Sequence, residues 1–383
     1  MAETLVSGRR GQVYAALEST FGTSPGHAAT DAIRHLAVKL QRNAFNRADS
    51  PEKKWGPGRT TRFDREETAD WSLEALLRPS GTLNTLAEAS EILEAGFGSK
   101  SNTTLSTTVS ASPTPTATGC TVASATGLAK HQAILVVVSG VKYLRFLTDV
   151  TGSALTWAPA LPAAPATGAA LKGVCTYRLS TDLALSLAIA HYLHSDTTHS
   201  RLATGAVVDR LAFDFARNDE ARFSASGPCK TVTTPAASKP AAFTTVGGNP
   251  PSGLTGQCYI GAAAYKMLKL NAEITNGLRL RYTFGSATPI EILPRGRRLV
   301  TLGLDALVAD ESVIYDNAES GTTVPVMLQQ GFTEGNIVGL YAPLVDFDIP
   351  SPDDGDDEPT WPFKGVCLES ADQQNDEVIL ALA

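Results

Sequence analysis

The chain, 383 residues long, is poor in the side chains that carry chemistry. Its five cysteines (Cys120, Cys175, Cys229, Cys258, Cys367) are scattered and odd in number, with no C-x-x-C pair among them. That argues against a zinc ribbon or a disulfide framework and for buried free thiols. No glycine-rich phosphate loop ends in Lys-Ser/Thr, and no G-x-S-x-G nucleophile elbow occurs. Basic residues are not interleaved with aromatics as in single-strand binders. No stretch approaches the ~18 to 20 continuous apolar residues of a membrane-spanning helix. Met1-Ala2-Glu3-Thr4 lacks the basic and then apolar plan of a signal peptide, which points to synthesis in a cytoplasm.

Two clusters invite a metal reading and fail it. His191-Tyr192-Leu193-His194, with Asp196 and His199, places its first two histidines at opposite strand parity, and no Glu follows His191. It reads as a polar strand end with its turn. Asp353-Asp354-Gly355-Asp356-Asp357-Glu358 lacks the ligand spacing and closing Glu of an EF-hand and reads as a solvated or partner-facing loop. No catalytic, metal or cofactor residue is assigned, and the chain reads as a non-enzyme.

What is present is β patterning. With 43% apolar and 19% charged residues the chain is globular, and its length suffices for one large or two to three ordinary domains. Leu211, Phe213 and Phe215 alternate with Ala212 and Asp214; Arg217 to Glu220 turn the chain, and Ala221 to Ser226 return as the second strand of a hairpin. In Met267 to Ile274, Leu268, Leu270, Ala272 and Ile274 share one parity, and Lys269, Asn271 and Glu273 the other. Asn276-Gly277 is a strong hairpin signal, which predicts that Leu278 to Phe284 pairs back onto that strand. These four half-polar strands are expected to form the centre of the molecule.

Other segments arrange around them. Gln12 to Leu17, Leu36 to Leu40 and Trp71 to Leu77 read as strands, and Val378 to Leu382 as a terminal one. Thr82 to Ala95 has helical spacing, with Thr85 and Glu88 as a capping box and Gly96 as the terminating glycine. It is the one helix the pattern predicts. Composition changes at Ser101: a Ser/Thr/Ala/Pro segment precedes Ile134–Val138, a Ser139-Gly140 turn, Val141–Leu147, Leu155–Trp157 and Leu171–Tyr177. Residues 101–175 thus read as an inserted module of five or six short strands, autonomous enough that joining Lys100 to Thr176 would leave assembly intact.

Charge is divided between the ends. Residues 1–65 hold eleven Lys/Arg against six Asp/Glu, and residues 341–383 one Lys against eleven Asp/Glu. Asn43 to Arg65 is polar, basic and nearly free of aliphatics, an extended arm or loop of the kind that usually serves a partner.

In order along the chain, R-R-G-Q-V-Y-A-A-L-E-S-T-F-G-T, W-S-L-E-A-L-L-R-P-S-G, I-L-E-A-G-F-G-S, G-A-V-V-D-R-L-A-F-D-F, L-R-L-R-Y-T-F and N-D-E-V-I-L-A-L-A resemble the tail tube proteins of long-tailed (siphovirus-like) bacteriophages. The resemblance covers residues 5–100 and 176–383; the 101–175 stretch is similar to small β modules inserted in phage structural proteins. It implies a mainly β fold: a β-sandwich or curled antiparallel sheet with one flanking helix, divided as 1–100 and 176–383 around the inserted all-β module at 101–175. It also implies six-membered rings stacked into a hollow virion tail tube, assembled in the host cytoplasm, through which double-stranded DNA passes without specific binding. Partners would be further copies of the chain and other tail proteins (tape measure, tail terminator, distal tail). Lys53, Lys54, Arg59, Arg62 and Arg65 are then candidates to meet Asp353, Asp354, Asp356, Asp357 and Glu358 of the next ring. Asp209, Asp214, Asp219 and Glu273 are candidates for a lumen that is acidic or neutral, because a basic wall would hold phosphate. The alternative is a β-modular virion-surface or secreted adhesin binding carbohydrate or host protein, which explains the Thr/Ala/Pro-rich insert and leaves the basic arm and acidic tail unexplained.

Overall fold

The computed structural model describes residues 11–43, 48–49, 62–63, 65–181, 183, 185–193, 199–294, 296–307, 312–351 and 360–383. Among the described residues strand accounts for about 50% and helix for about 6%. Seven strands make the central run of the largest sheet: β1 (Ala37–Asn43), β2 (Thr68–Leu76), β3 (Arg210–Ala216), β4 (Arg222–Cys229), β5 (Met267–Thr275), β6 (Leu299–Leu307) and β7 (Thr360–Leu368). Their order in space is β7-β6-β5-β3-β4-β2-β1, every neighbour antiparallel.

The period-2 alternation sorts each strand into a dry and a wet face. Leu73, Ala225, Leu211, Ile274 and Val300 form one cross-strand row on the dry face, and Ala75, Phe223, Phe213, Ala272 and Leu302 the next. All are buried. Cross-strand neighbours such as Phe213 and Phe223, or Leu211, Ile274 and Val300, pack against one another along these rows. Two layers close over this face. One is helix α1 (Ser90–Phe97), whose Phe97 ring sits 6.1 Å from that of Phe213. The other is a five-stranded sheet containing Gln12–Leu17, Leu187–Tyr192 and Arg201–Ala206, which lends Val13, Leu187, Ile189 and Ala203 to the core.

The sheet curls at Val338–Phe347. One edge of that strand pairs with Val324–Gln330 from Val338 to Val345; the other edge pairs with the terminal strand Ile379–Leu382 at Val338 to Tyr341 and with β7 at Leu344 to Phe347. Ile379–Leu382 in turn pairs with Cys175–Leu179.

Six strands within 106–173 make a separate sheet, in the order Ser106–Thr108, Ala170–Gly173, Ala133–Val138, Val141–Thr151, Ala154–Ala158, Gly119–Thr121. It has its own core around Val136, Leu147, Leu155, Trp157 and Leu171. Its other face (Ala133, Leu135, Leu144, Phe146) is pressed onto Tyr259, Met327, Tyr341 and Ile379 of the main body, with Phe146 stacked on Tyr341 at 5.0 Å. Buried Arg145 lies between the rings of Tyr143 and Tyr259, and Glu334 bridges Lys142 and Lys172 at 3.0 and 2.8 Å. The insert therefore shares a dry core with its host, and its removal would uncover Tyr259, Met327 and Tyr341. The single strand read at Leu171–Tyr177 is two, divided at Val174 between the two sheets.

Three further readings change. Asn276-Gly277 does not close a hairpin onto β5. Leu278–Arg281 pairs instead with Glu291–Pro294, as a two-stranded ladder apart from the sheet. The cause is tertiary: Asn276 is buried and its Nδ2 donates to the carbonyls of Gly96 and Val208, each at 3.0 Å. The N–H of Leu278 donates to Asp209 Oδ1 at 2.6 Å. Those bonds hold the chain over the sheet end, and β5 takes β6 as its partner.

The helix begins at Ser90, without a capping side chain, because Glu88 is drawn to Arg34 by an ion pair. It ends at Gly98, whose φ of +88° suits glycine. Gly96 lies inside the helix, where a Cβ would meet Leu211 Cδ2 at 2.8 Å. A second helix, α2 (Ser312–Ser320), also occurs, anchored by fully buried Ile314.

Candidate functional site

Among the described residues no group of three or more His, Cys, Asp or Glu converges as metal ligands would. His191 pairs edge to face with His35 at 5.7 Å, and burial pushes its pKa down to about 4. The five cysteines are buried and free, with Cys229, Cys258 and Cys367 each pushed up to about 12 by burial. Such thiols are inert.

The broad polar surface is the wet face of β1 to β7. Register assigns it Lys39, Arg210, Arg222, Lys269 and Lys364 against Asp70, Glu74, Asp214, Glu273 and Asp305, five of each sign. Between them lie small or neutral residues: Ser72, Ser224, Ser226, Ala212, Asn271, Thr301 and Gly303. The charges are interleaved. Arg210 Nε meets Glu273 Oε1 at 2.6 Å, and that bond raises the guanidinium pKa. Lys269 Nζ lies 3.6 Å from Asp214, and Arg222 lies 3.5 Å from Asp219. The middle of the face is a shallow depression of about 370 Å³ lined by Ala212, Asp214, Ser224, Asn271 and Glu273. No cluster of unpaired cations stands there to seize a polyanion.

Of the four acidic residues singled out for a lumen, Asp214 and Glu273 lie on this face. Asp209 sits at the upper end of the strands, its carboxylate engaged by the Leu278 N–H. Asp219 occupies the turn between β3 and β4 at the lower end. Sequence reasoning passed over Asp70, Glu74, Asp305 and Lys364; their alternation is legible, but only register puts them beside the others.

The described residues that bound the two charged segments lie at opposite ends of the same sheet. Asn43 and Thr68, which bound the basic arm, are paired at the upper end, alongside Thr275 and Leu299. Thr360, which follows the acidic segment, is paired with Leu307 at the lower end. Lys53, Lys54, Arg59, Asp353, Asp354, Asp356, Asp357 and Glu358 lie outside the described residues. Arg62 belongs to a two-residue ladder, opposite Asp49, and Arg65 is exposed.

The chain is thus mainly β, with a curled sheet and a charge-balanced polar face. The family described as phage tail tube protein matches residues 8–365. This chain belongs to that family. No curated protein matches it. A phage tail tube protein is a structural component of the virion tail, which self-assembles and joins other tail proteins. The curled sheet is this tube protein's main architectural feature, and no helix among its described residues is long and apolar enough to cross a membrane.

Proposed function

We propose that copies of this tube protein close into six-membered rings, and that the rings stack into the hollow tube of a long, siphovirus-type tail. The wet face of the sheet, through its four central strands β2 to β5, lines the channel, and double-stranded DNA passes along it at ejection. The observation that carries this reading is the charge balance of that face: five cations and five anions, with Arg210–Glu273 and Lys269–Asp214 paired across strands. Such a wall offers a polyanion no net attraction, and small residues between the pairs keep it smooth.

Dimensions agree. Four central strands per copy give about 24 around a ring; at ~4.8 Å each the circumference is ~115 Å and the backbone diameter ~37 Å before tilt. Side chains of ~5 Å on each wall leave room for a duplex ~20 Å wide. Along the axis, the residues bounding the basic and acidic segments, Asn43 and Thr68 at one sheet end and Thr360 at the other, suit head-to-tail stacking. Lys53, Lys54, Arg59, Arg62 and Arg65 of one ring then face Asp353, Asp354, Asp356, Asp357 and Glu358 of the next.

Residues 101–175 are a module inserted between the two parts of the tube domain, 1–100 and 176–383. Tape measure, tail terminator and distal tail proteins are the other partners, and assembly takes place in the host cytoplasm. Electron microscopy of the purified protein tests the reading: rings or tubes with an axial channel support it, and dispersed monomers at high concentration contradict it.

A further inference from the structure

Two features at the upper end of the sheet have no counterpart within the chain. The first is a knob. Beyond Asn276-Gly277 the chain leaves β5 as the ladder of Leu278–Arg281 against Glu291–Pro294. Leu278 packs there with Leu183 and Val207. Tyr282 Oη donates to the Glu67 carbonyl at 2.7 Å, and the Glu67 N–H donates to the Ala287 carbonyl at 2.8 Å. The hairpin is thus pinned across the upper strand ends, with its tip over the start of β2. From that tip Phe284 stands out fully exposed, and Ile290 is half-exposed. The loop from Thr283 to Ile290 carries no charge.

The second is a groove. The upper ends of β6 and β7 and the segment after them enclose about 850 Å³. Leu299 and Val366, exposed to 48% and 38%, form part of its wall. Glu377 lines it too: one carboxylate oxygen is held by Arg298 at 3.0 Å, while the other, Oε2, is buried without a hydrogen-bond partner.

Knob and groove share one end of the sheet but lie on opposite sides of it. From β2 to β6 are four strand spacings, about 19 Å. Copies arranged side by side in a ring bring the β1–β2 side of one against the β6–β7 side of the next, at the same height. We propose that the Phe284 tip of one copy seats in the Leu299/Val366 groove of its neighbour in the ring, a contact that rests on the ring reading above. The ring of Phe284 covers Leu299 and Val366. Charge agrees: the hairpin bears Arg279 and Arg281 against Glu291, and the groove bears Glu369, Asp372 and Glu377 against Arg297 and Arg298. A knob and a groove on different faces make a heterologous contact, which propagates around a ring.

Thiol cross-linking tests this, since the native cysteines are buried. Phe284→Cys and Leu299→Cys both fall at exposed positions. A mixture of the two single variants treated with a short bismaleimide should give covalent dimers, each variant alone none, and the double variant a ladder ending at the ring number. Phe284→Ser should raise the concentration for half-assembly at least ~tenfold while leaving the unfolding transition in place. Rings that form without any cross-link overturn the contact and leave the ring reading intact. Dimers from Phe284→Cys alone mean tip-to-tip association and also overturn it. An unsubstituted chain that stays monomeric overturns both.

Discussion

Arg210 and Glu273 face each other from adjacent strands β3 and β5, Nε to Oε1 at 2.6 Å, on a face whose charges sum to zero. As an exposed pair it contributes only ~0 to 1 kcal/mol to stability. Its value is cancellation: it removes a guanidinium from the surface along which, on the proposed reading, phosphates slide. Glu273→Lys with Asp214→Lys should leave folding within ~1 kcal/mol of the parent, yet make assemblies bind duplex DNA with a steep salt dependence. Fluorescence anisotropy with a labelled duplex reads this; equally weak binding by parent and variant would separate charge balance from passage.

The insert's contact with the body should be costly to break. Phe146→Ala removes a fully buried ring stacked on Tyr341 and should cost ~3 to 5 kcal/mol. Joining Lys100 to Thr176 strips Tyr259, Met327 and Ile379 of their cover, and the expected product is insoluble. Denaturant unfolding of the point variant checks the first claim. An unchanged midpoint would show that the two sheets are only loosely joined.

Asn276→Ala should destabilise the chain by ~1 to 3 kcal/mol, since it leaves the carbonyls of Gly96 and Val208 without their donor. It should also free the hairpin that carries Phe284. Hydrogen exchange on the peptide spanning 278–294 ought to accelerate in the variant, and unchanged protection there would contradict the anchoring role.

Acid should weaken the fold well before carboxylates titrate. Burial lowers the pKa of His27, His35, His131 and His191, the last to about 4 and aided by neighbouring His35. Above the unfolded value of 6.5 these rings are neutral in both states. Below it the unfolded chain takes up protons that the folded chain refuses, so stability falls from about pH 6.5 toward pH 4. His191→Gln should flatten that slope in urea titrations at stepped pH, and an identical slope would acquit His191.

Stacking should depend on salt. Arg59, Arg62 and Arg65 reversed to Glu should shorten tubes more than they lower monomer stability, because weak exposed pairs are multiplied around each ring. Light scattering against ionic strength measures growth; normal tubes with unchanged salt sensitivity would leave apolar contacts as the glue.

Strands were legible wherever one face is wet. Leu211, Phe213 and Phe215 alternate with polar neighbours, so β3 is marked by period alone; β2, β4 and β5 follow for the same reason. Asn276-Gly277 misled because Asn276 spends its amide on Gly96 and Val208, carbonyls contributed by distant segments. The helix start misled because Glu88 prefers Arg34, far away in sequence. α2 escaped because so short a helix is anchored chiefly by Ile314 and shows little periodicity. Two of the wet face's five acidic residues, Asp214 and Glu273, were legible. The rest, Asp70 and Glu74 among them, needed the order of strands, which no local pattern encodes.

The most direct measurement is a side-chain-resolution reconstruction of the assembled tube. The account predicts a channel lined by Glu74, Ser224, Ala212, Asp214 and Glu273, with α1 and the five-stranded sheet behind that wall. A channel lined instead by the insert, or by the α1 side of the molecule, would contradict it.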